Sequence, residues 1–175
     1  MKYFLILFLG ISTGLFGQSQ NLFSSKDADL TSRIHNKDTF YAGEADKDKF
    51  FKIKFDSIKK NVQKPERYLV EGVTNFQGNL TPFKGEIIFK EKFDVKNEPD
   101  SVLLFGDFNF QEQSEEANPG IFTGKIRIQT DKEMSPTQHG ATVTFKGELK
   151  KGEHEIHQIW FSNFTPHNID KVIFR

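Results

Sequence analysis

From about residue 38 onward, apolar and polar positions alternate. "TFYAGEA" (39–45), "KFFKIKFDS" (49–57), "RYLVEGVTNF" (67–76), "PFKGEIIF" (82–89), "LLFGDFNF" (103–110), "PGIFTGKIRI" (119–128), "VTFKGEL" (143–149), "HEIHQIWFSNF" (154–164) and "DKVIF" (170–174) all carry a period of two, the spacing of a half-buried strand. The links between them, such as "KKNVQKPE", "EQSEEANPG" and "DKEMSPTQHG", hold nearly all the proline and much of the Asn, Asp and Gly, which are turn compositions. No stripe at helical spacing follows the first twenty residues. The pattern predicts an all-β protein: an antiparallel meander of about 8–9 strands.

A glycine recurs in most of these strands, and always on the apolar face. Phe83, Gly85, Ile87 and Phe89 share one parity, as do Leu104, Gly106, Phe108 and Phe110. Phe122, Gly124, Ile126 and Ile128 do the same, and so do Val143, Phe145, Gly147 and Leu149. Gly43 follows Tyr41, and Gly72 follows Tyr68 and Val70, while the opposite faces read Lys84/Glu86, Asp107/Asn109, Lys125/Arg127 and Lys146/Glu148. Glycine weakens a strand interior, so its repeated inward placement marks positions where a side chain would collide. Small barrels coil tightly and alternate small with large inward residues. Gly43, Gly72, Gly85, Gly106, Gly124 and Gly147 are therefore expected as structural glycines, and the meander is expected to close into an up-and-down barrel. Residues 18–37 lack a sustained period and read as a short irregular N-terminal arm with at most one helical turn, Ser25 and Asp27 being its cap candidates.

The stretches "FYAGEADKDKFFKIKF", "YLVEG", "LLFGDFNF" and "GIFTGKI" together resemble the calycin barrels, the group of lipocalins, fatty-acid-binding proteins and avidins. The resemblance covers roughly residues 38 to 175 and implies a calycin-like barrel fold. It departs from the lipocalin signature, Gly-x-Trp on the first strand, where this chain has Tyr41-Ala42-Gly43. No biotin-contacting set can be traced.

The opening "MKYFLILFLGISTGLFGQSQ" has one basic residue, Lys2, and then an apolar stretch too short to span a bilayer. It reads as a secretory signal peptide, residues 1–17, cut near Gly17/Gln18, so the chain is expected to be exported to the periplasm or the extracellular space as one barrel domain of residues 38–175. Cutting removes Lys2 from the 24 basic residues and none of the 24 acidic ones. That balance gives no basic surface for nucleic acid. No later run is apolar enough for a transmembrane helix. Cysteine is absent, which excludes disulfides, thiol catalysis and thiolate metal sites.

Motifs with chemistry are few. "HEIH" (154–157) places His154 and His157 three apart, on opposite sides of a strand, which does not make a zinc set and reads as an edge or surface strand. Glu112, Glu115 and Glu116 share an acidic loop without the spacing of a calcium loop. Glu112 also continues the inward parity of Phe108 and Phe110, at a barrel mouth, where it could orient a polar ligand group. Trp160, the single tryptophan, is assigned inward. "DSI" and "DSV" make Ser57 and Ser101 candidate O-glycosylation sites. No nucleophile elbow, phosphate loop or dinucleotide fingerprint occurs, and no cofactor or metal is expected.

Three functions fit this sequence. The first is a small exported barrel binding a hydrophobic small molecule or lipid inside, with Tyr41, Phe55, Phe89, Phe108, Phe110, Glu112 and Trp160 lining the cavity. The second is a filled barrel acting as an envelope or extracellular protein- or glycan-interaction module. The third is a hydrolase of unrecognised type. A non-enzymatic role is expected, since no catalytic constellation is present. An eight-stranded barrel can be either filled by side chains or hollow enough for one small ligand, so the first two differ in what occupies the interior.

Overall fold

The computed structural model describes residues 21–22, 28–35, 40–46, 49–76, 78–114, 119–134, 140–152 and 154–164. A two-residue β1 (Asn21–Leu22) and a helical turn α1 (Thr31–Ile34) precede eight strands: β2 (Tyr41–Ala45), β3 (Lys49–Lys60), β4 (Arg67–Phe76), β5 (Asn79–Val95), β6 (Glu98–Glu112), β7 (Ile121–Asp131), β8 (Thr142–Lys151) and β9 (Glu155–Ser162). The expected strand at 170–174 and the leader at 1–17 lie outside the described residues. Every successive pair from β2 to β9 is an antiparallel hairpin, and β2 pairs with β9 through Ala42↔Ser162 to Ala45↔Ile159. The β5–β6 pairing, Phe83↔Glu112 onward, completes an eight-strand ring. The result is the closed up-and-down barrel that the glycines predict.

Alternate residues enter the barrel because the pleat directs them there. Tyr41, Phe51, Ile53, Phe55, Tyr68, Val70, Phe83, Ile87, Phe89, Phe108, Phe110, Phe122, Phe145 and Phe161 are all buried. The glycines do more than leave room for these rings. A Cβ built on Gly147 would meet Thr123 O and come within 2.7 Å of Gly124 Cα, its cross-strand partner on β7. On Gly85 it would meet Asn109 O and lie 2.7 Å from Phe110 Cα. The obstacle is thus the backbone of the adjacent strand, drawn close where the sheet coils. Bulges between Phe55 and Ser57 on β3, and between Phe89 and Glu91 on β5, add curvature.

The segment before β2 departs from a loose arm. Ala28, Leu30 and Ile34 are buried and belong to the same apolar core as the barrel. They cover the end of the barrel where β2 begins and β3 ends, called the lower end here. Two interior tyrosines bind the segment's main chain. Tyr41 Oη donates to Ile34 O at 2.8 Å, and Leu30 N donates to Tyr68 Oη at 3.1 Å. Asp29 Oδ1 accepts from Thr31 N at 2.9 Å, so Asp29 serves this turn, and Ser25 and Asp27 lie outside the described residues. Arg33 adds an ion pair to Asp131 of β7 at 2.8 Å, its side chain only 3% exposed.

Candidate functional site

The interior is the first place to look, since seven cavity candidates come from there. Tyr41, Phe55, Phe89, Phe108 and Phe110 do point inward and are buried. They pack against one another and against neighbouring rings. Phe145 and Phe161 stack at 4.4 Å, Tyr41 meets Phe55 at 5.3 Å, and Phe55 meets Phe110 at 5.7 Å. Phe51 on β3 and Phe122 on β7 stand on opposite strands of the ring, yet their centroids are 6.3 Å apart. Edge-to-face and tilted contacts at these distances are the preferred geometry of aromatic pairs. At that level the lumen is spanned by side chains.

Trp160 is a correction. Its neighbours Ile159 and Phe161 are buried in the barrel, and Trp160 itself pairs outward with Lys146 and Glu44. Its indole Nε1 donates to Glu44 Oε2 at 3.3 Å. It is half-buried on the outer wall and cannot report on the interior. Glu112 is inward and buried, at the upper end of the barrel. Both of its oxygens are engaged: Thr74 Oγ1 donates to Oε1 at 2.8 Å and Gly120 N donates to Oε2 at 3.0 Å. The carboxylate therefore ties the β6–β7 link to β4. Glu115 and Glu116 lie outside the described residues.

His157 is the second correction. β9 pairs with β8 from Glu155 to Ser162 but with β2 only from Ile159, so this stretch has a ladder on one side, yet His157 is buried whereas His154 is exposed. Its ring sits at the upper end between two carboxylates, Asp46 Oδ2 at 2.6 Å from Nδ1 and Glu155 Oε1 at 2.8 Å from Nε2. Both carboxyls are held below the ordinary range, chiefly by the His157 hydrogen bond. The partners of His157 are not His154 but Glu155, two residues before it, and Asp46, in a turn 111 positions away. Among the described residues no group of His, Asp or Glu is arranged to hold a metal. Ser57 and Ser101 are half-buried within β3 and β6, Ser57 beside the bulge.

On the outer wall, a shallow groove of about 230 Å³ is lined by Leu69, Lys84, Gly85, Glu86, Asn109 and Gln111. Asp107 lies between Lys90 and Lys125 and bonds to both; burial raises its pKa, but the two ammonium groups outweigh this and hold it below the usual range. Of the exposed large apolar residues among those described, Phe40 and Val62 lie toward the lower end and Leu69 on the outer face of β4. Phe50, Leu80, Ile121 and Ile156 each occupy the first or second position of a strand that begins at the upper end. They make an apolar rim there, with Phe50 67% and Leu80 65% exposed. No family model matches the chain, and neither a curated protein nor a solved structure does. No helix among the described residues is long and apolar enough to cross a membrane.

Proposed function

We propose that this protein acts through its outer surface, as an exported interaction module of the envelope or extracellular space. The observation that carries the reading is the 6.3 Å approach of Phe51 and Phe122 across the full width of the ring. A barrel spanned by its own rings has given its interior to folding, so recognition falls to the outside. The upper end, where Phe50, Leu80, Ile121 and Ile156 are exposed at the starts of four strands, is the contact surface we assign. Export rests on the leader sequence, and the outward Trp160 accords with a surface role.

Two measurements test this. The protein purified from its own host and weighed by native mass spectrometry is expected at its bare mass; a lipid retained in whole-number ratio would restore the cavity reading. Phe50→Ser with Ile156→Ser is expected to leave the melting temperature within a few degrees while releasing the protein from the washed envelope fraction. Unchanged retention of a folded double variant would sink the rim as the contact surface.

A further inference from the structure

At the upper end, β2 stops pairing with β9 at Ala45↔Ile159. Asp46 then carries the contact one step further by means of its left-handed backbone, φ 55°, and its side chain. Its main-chain N donates to Gln158 O at 2.7 Å, and its Oδ1 accepts from Gln158 N at 3.1 Å. The remaining oxygen, Oδ2, faces His157 Nδ1, while Glu155 Oε1 faces Nε2 on the other side of the ring. Ionised carboxylates only accept hydrogen bonds. A ring with a carboxylate on each nitrogen must therefore donate from both, and only the imidazolium has two N–H groups.

We propose that His157 is a proton-gated clasp at the start of β9: when charged, its ring holds both Asp46 of the β2–β3 turn and Glu155 of its own strand, and when neutral it keeps Asp46 and lets the Glu155 side chain go. Neutral imidazole keeps one N–H. Its other nitrogen then presents a lone pair to a carboxylate, and that carboxylate turns into water. Glu155 is the one to leave, because Asp46 is also anchored by its two bonds to Gln158, and the Glu155 side chain is 58% exposed. Among the described residues, the charged groups around the ring are Asp46 from the β2–β3 turn, Lys49 at the start of β3, Glu155 on β9 and Lys151 on β8, which pairs in register with Glu155. Across the ladder His157 faces the apolar Leu149. Loss of the Glu155 contact leaves the first residues of β9 held by the ladder to β8 alone, and with them Ile156 of the apolar rim. The clasp itself does not depend on what the rim binds.

The test is nuclear magnetic resonance on the whole protein across a pH series that carries the His157 ring from charged to neutral. The His157 ring signals and the amide exchange of Lys151, Glu155, Ile156 and Gln158 are followed together. Protection at Lys151 and Glu155 is expected to fall about tenfold with the same midpoint as the His157 ring, a local opening, while Gln158 stays protected. Glu155→Gln, at an exposed site, is expected to leave the ring titrating and to abolish the exchange step. His157→Gln abolishes both. Exchange that stays flat while His157 titrates, or a step that survives in Glu155→Gln, would overturn the clasp. Rim binding that is unaffected by pH would instead leave the clasp standing and limit its consequence to the hairpin.

Discussion

Replacing Gly147 with alanine adds one methyl group and interrogates the closure of the whole barrel. In an ordinary strand that change is favourable by roughly 0.5–1 kcal/mol, because glycine has more freedom to lose on folding. Here the new Cβ meets Thr123 O and lies 2.7 Å from Gly124 Cα. Neither is the end of a flexible side chain, so β7 and β8 must separate. Overpacking of this kind costs about 1–3 kcal/mol, and backbone displacement puts the cost near the top of that range. The net expectation is a loss of about 2 kcal/mol, read as a lower urea midpoint and a melting temperature down by about 4–8 °C for a domain of this size. Gly124→Ala meets the same gap from the other strand. Once the first methyl has parted the strands the second enters more cheaply, so the double variant is expected to lose less than the two single losses combined. The outward Lys146→Ala, next in sequence, serves as control and is expected within about 0.5 kcal/mol. A stabilised Gly147→Ala, or a loss no larger than the control's, would refute the claim that close strand approach requires these glycines.

Ile34→Ala and Leu30→Ala are each expected to cost about 2–4 kcal/mol in urea titration, the price of a core truncation; costs under about 0.5 kcal/mol would return residues 28–35 to a loose arm. Asp46, Glu155 and Asp107 all have depressed folded-state pKa values, so their contribution is present above about pH 4 and is lost as pH falls through the folded values; Asp46→Asn with Glu155→Gln is expected to flatten the acid side of the stability profile, and an unchanged slope would refute the assignment. Burial pushes Tyr68 up to about 12 and Tyr41 higher still. Raised values mean that stability is complete below about pH 10 and falls as the unfolded phenols ionise above it; phenolate absorbance is expected to appear only together with unfolding, and a free phenol titrating near its ordinary value would contradict the tyrosine contacts to the covering segment.

The barrel was legible because period two and inward glycine repeat strand after strand, and each repetition reinforces the parity of the last. β9 is where that reasoning slips. "HEIHQIWFS" has apolar residues on both parities, Ile156 and Trp160 on one and Ile159 and Phe161 on the other. Only the register decides: Phe161 stands opposite Gly43 and Phe145, so its parity enters the barrel and Trp160 is turned out. A pairing between the first and last strands of the ring leaves no local trace in sequence. The same applies to His157, whose partner Asp46 comes from the far side of that pairing. Leu30 and Ile34 were hidden for another reason: one buried turn among polar residues is too short to establish a period.

The seam between β2 and β9 differs from the other joints of the ring. Those are hairpins, closed by a few residues, whereas Ala42 and Ser162 must find each other across most of the chain. Bringing ends so distant together costs roughly 4 kcal/mol of loop entropy on the (3/2)RT ln n scale before any contact repays it. The seam is therefore expected to form late in folding, after the hairpins have assembled a curled, still open sheet. It is short, with four residue pairs, but each end is fastened: Tyr41 reaches Ile34 of the covering segment below, and Asp46 reaches His157 above. For the interval before it shuts, the molecule is a sheet with two bare edges, and the speed of that last step sets how long those edges can recruit a second chain.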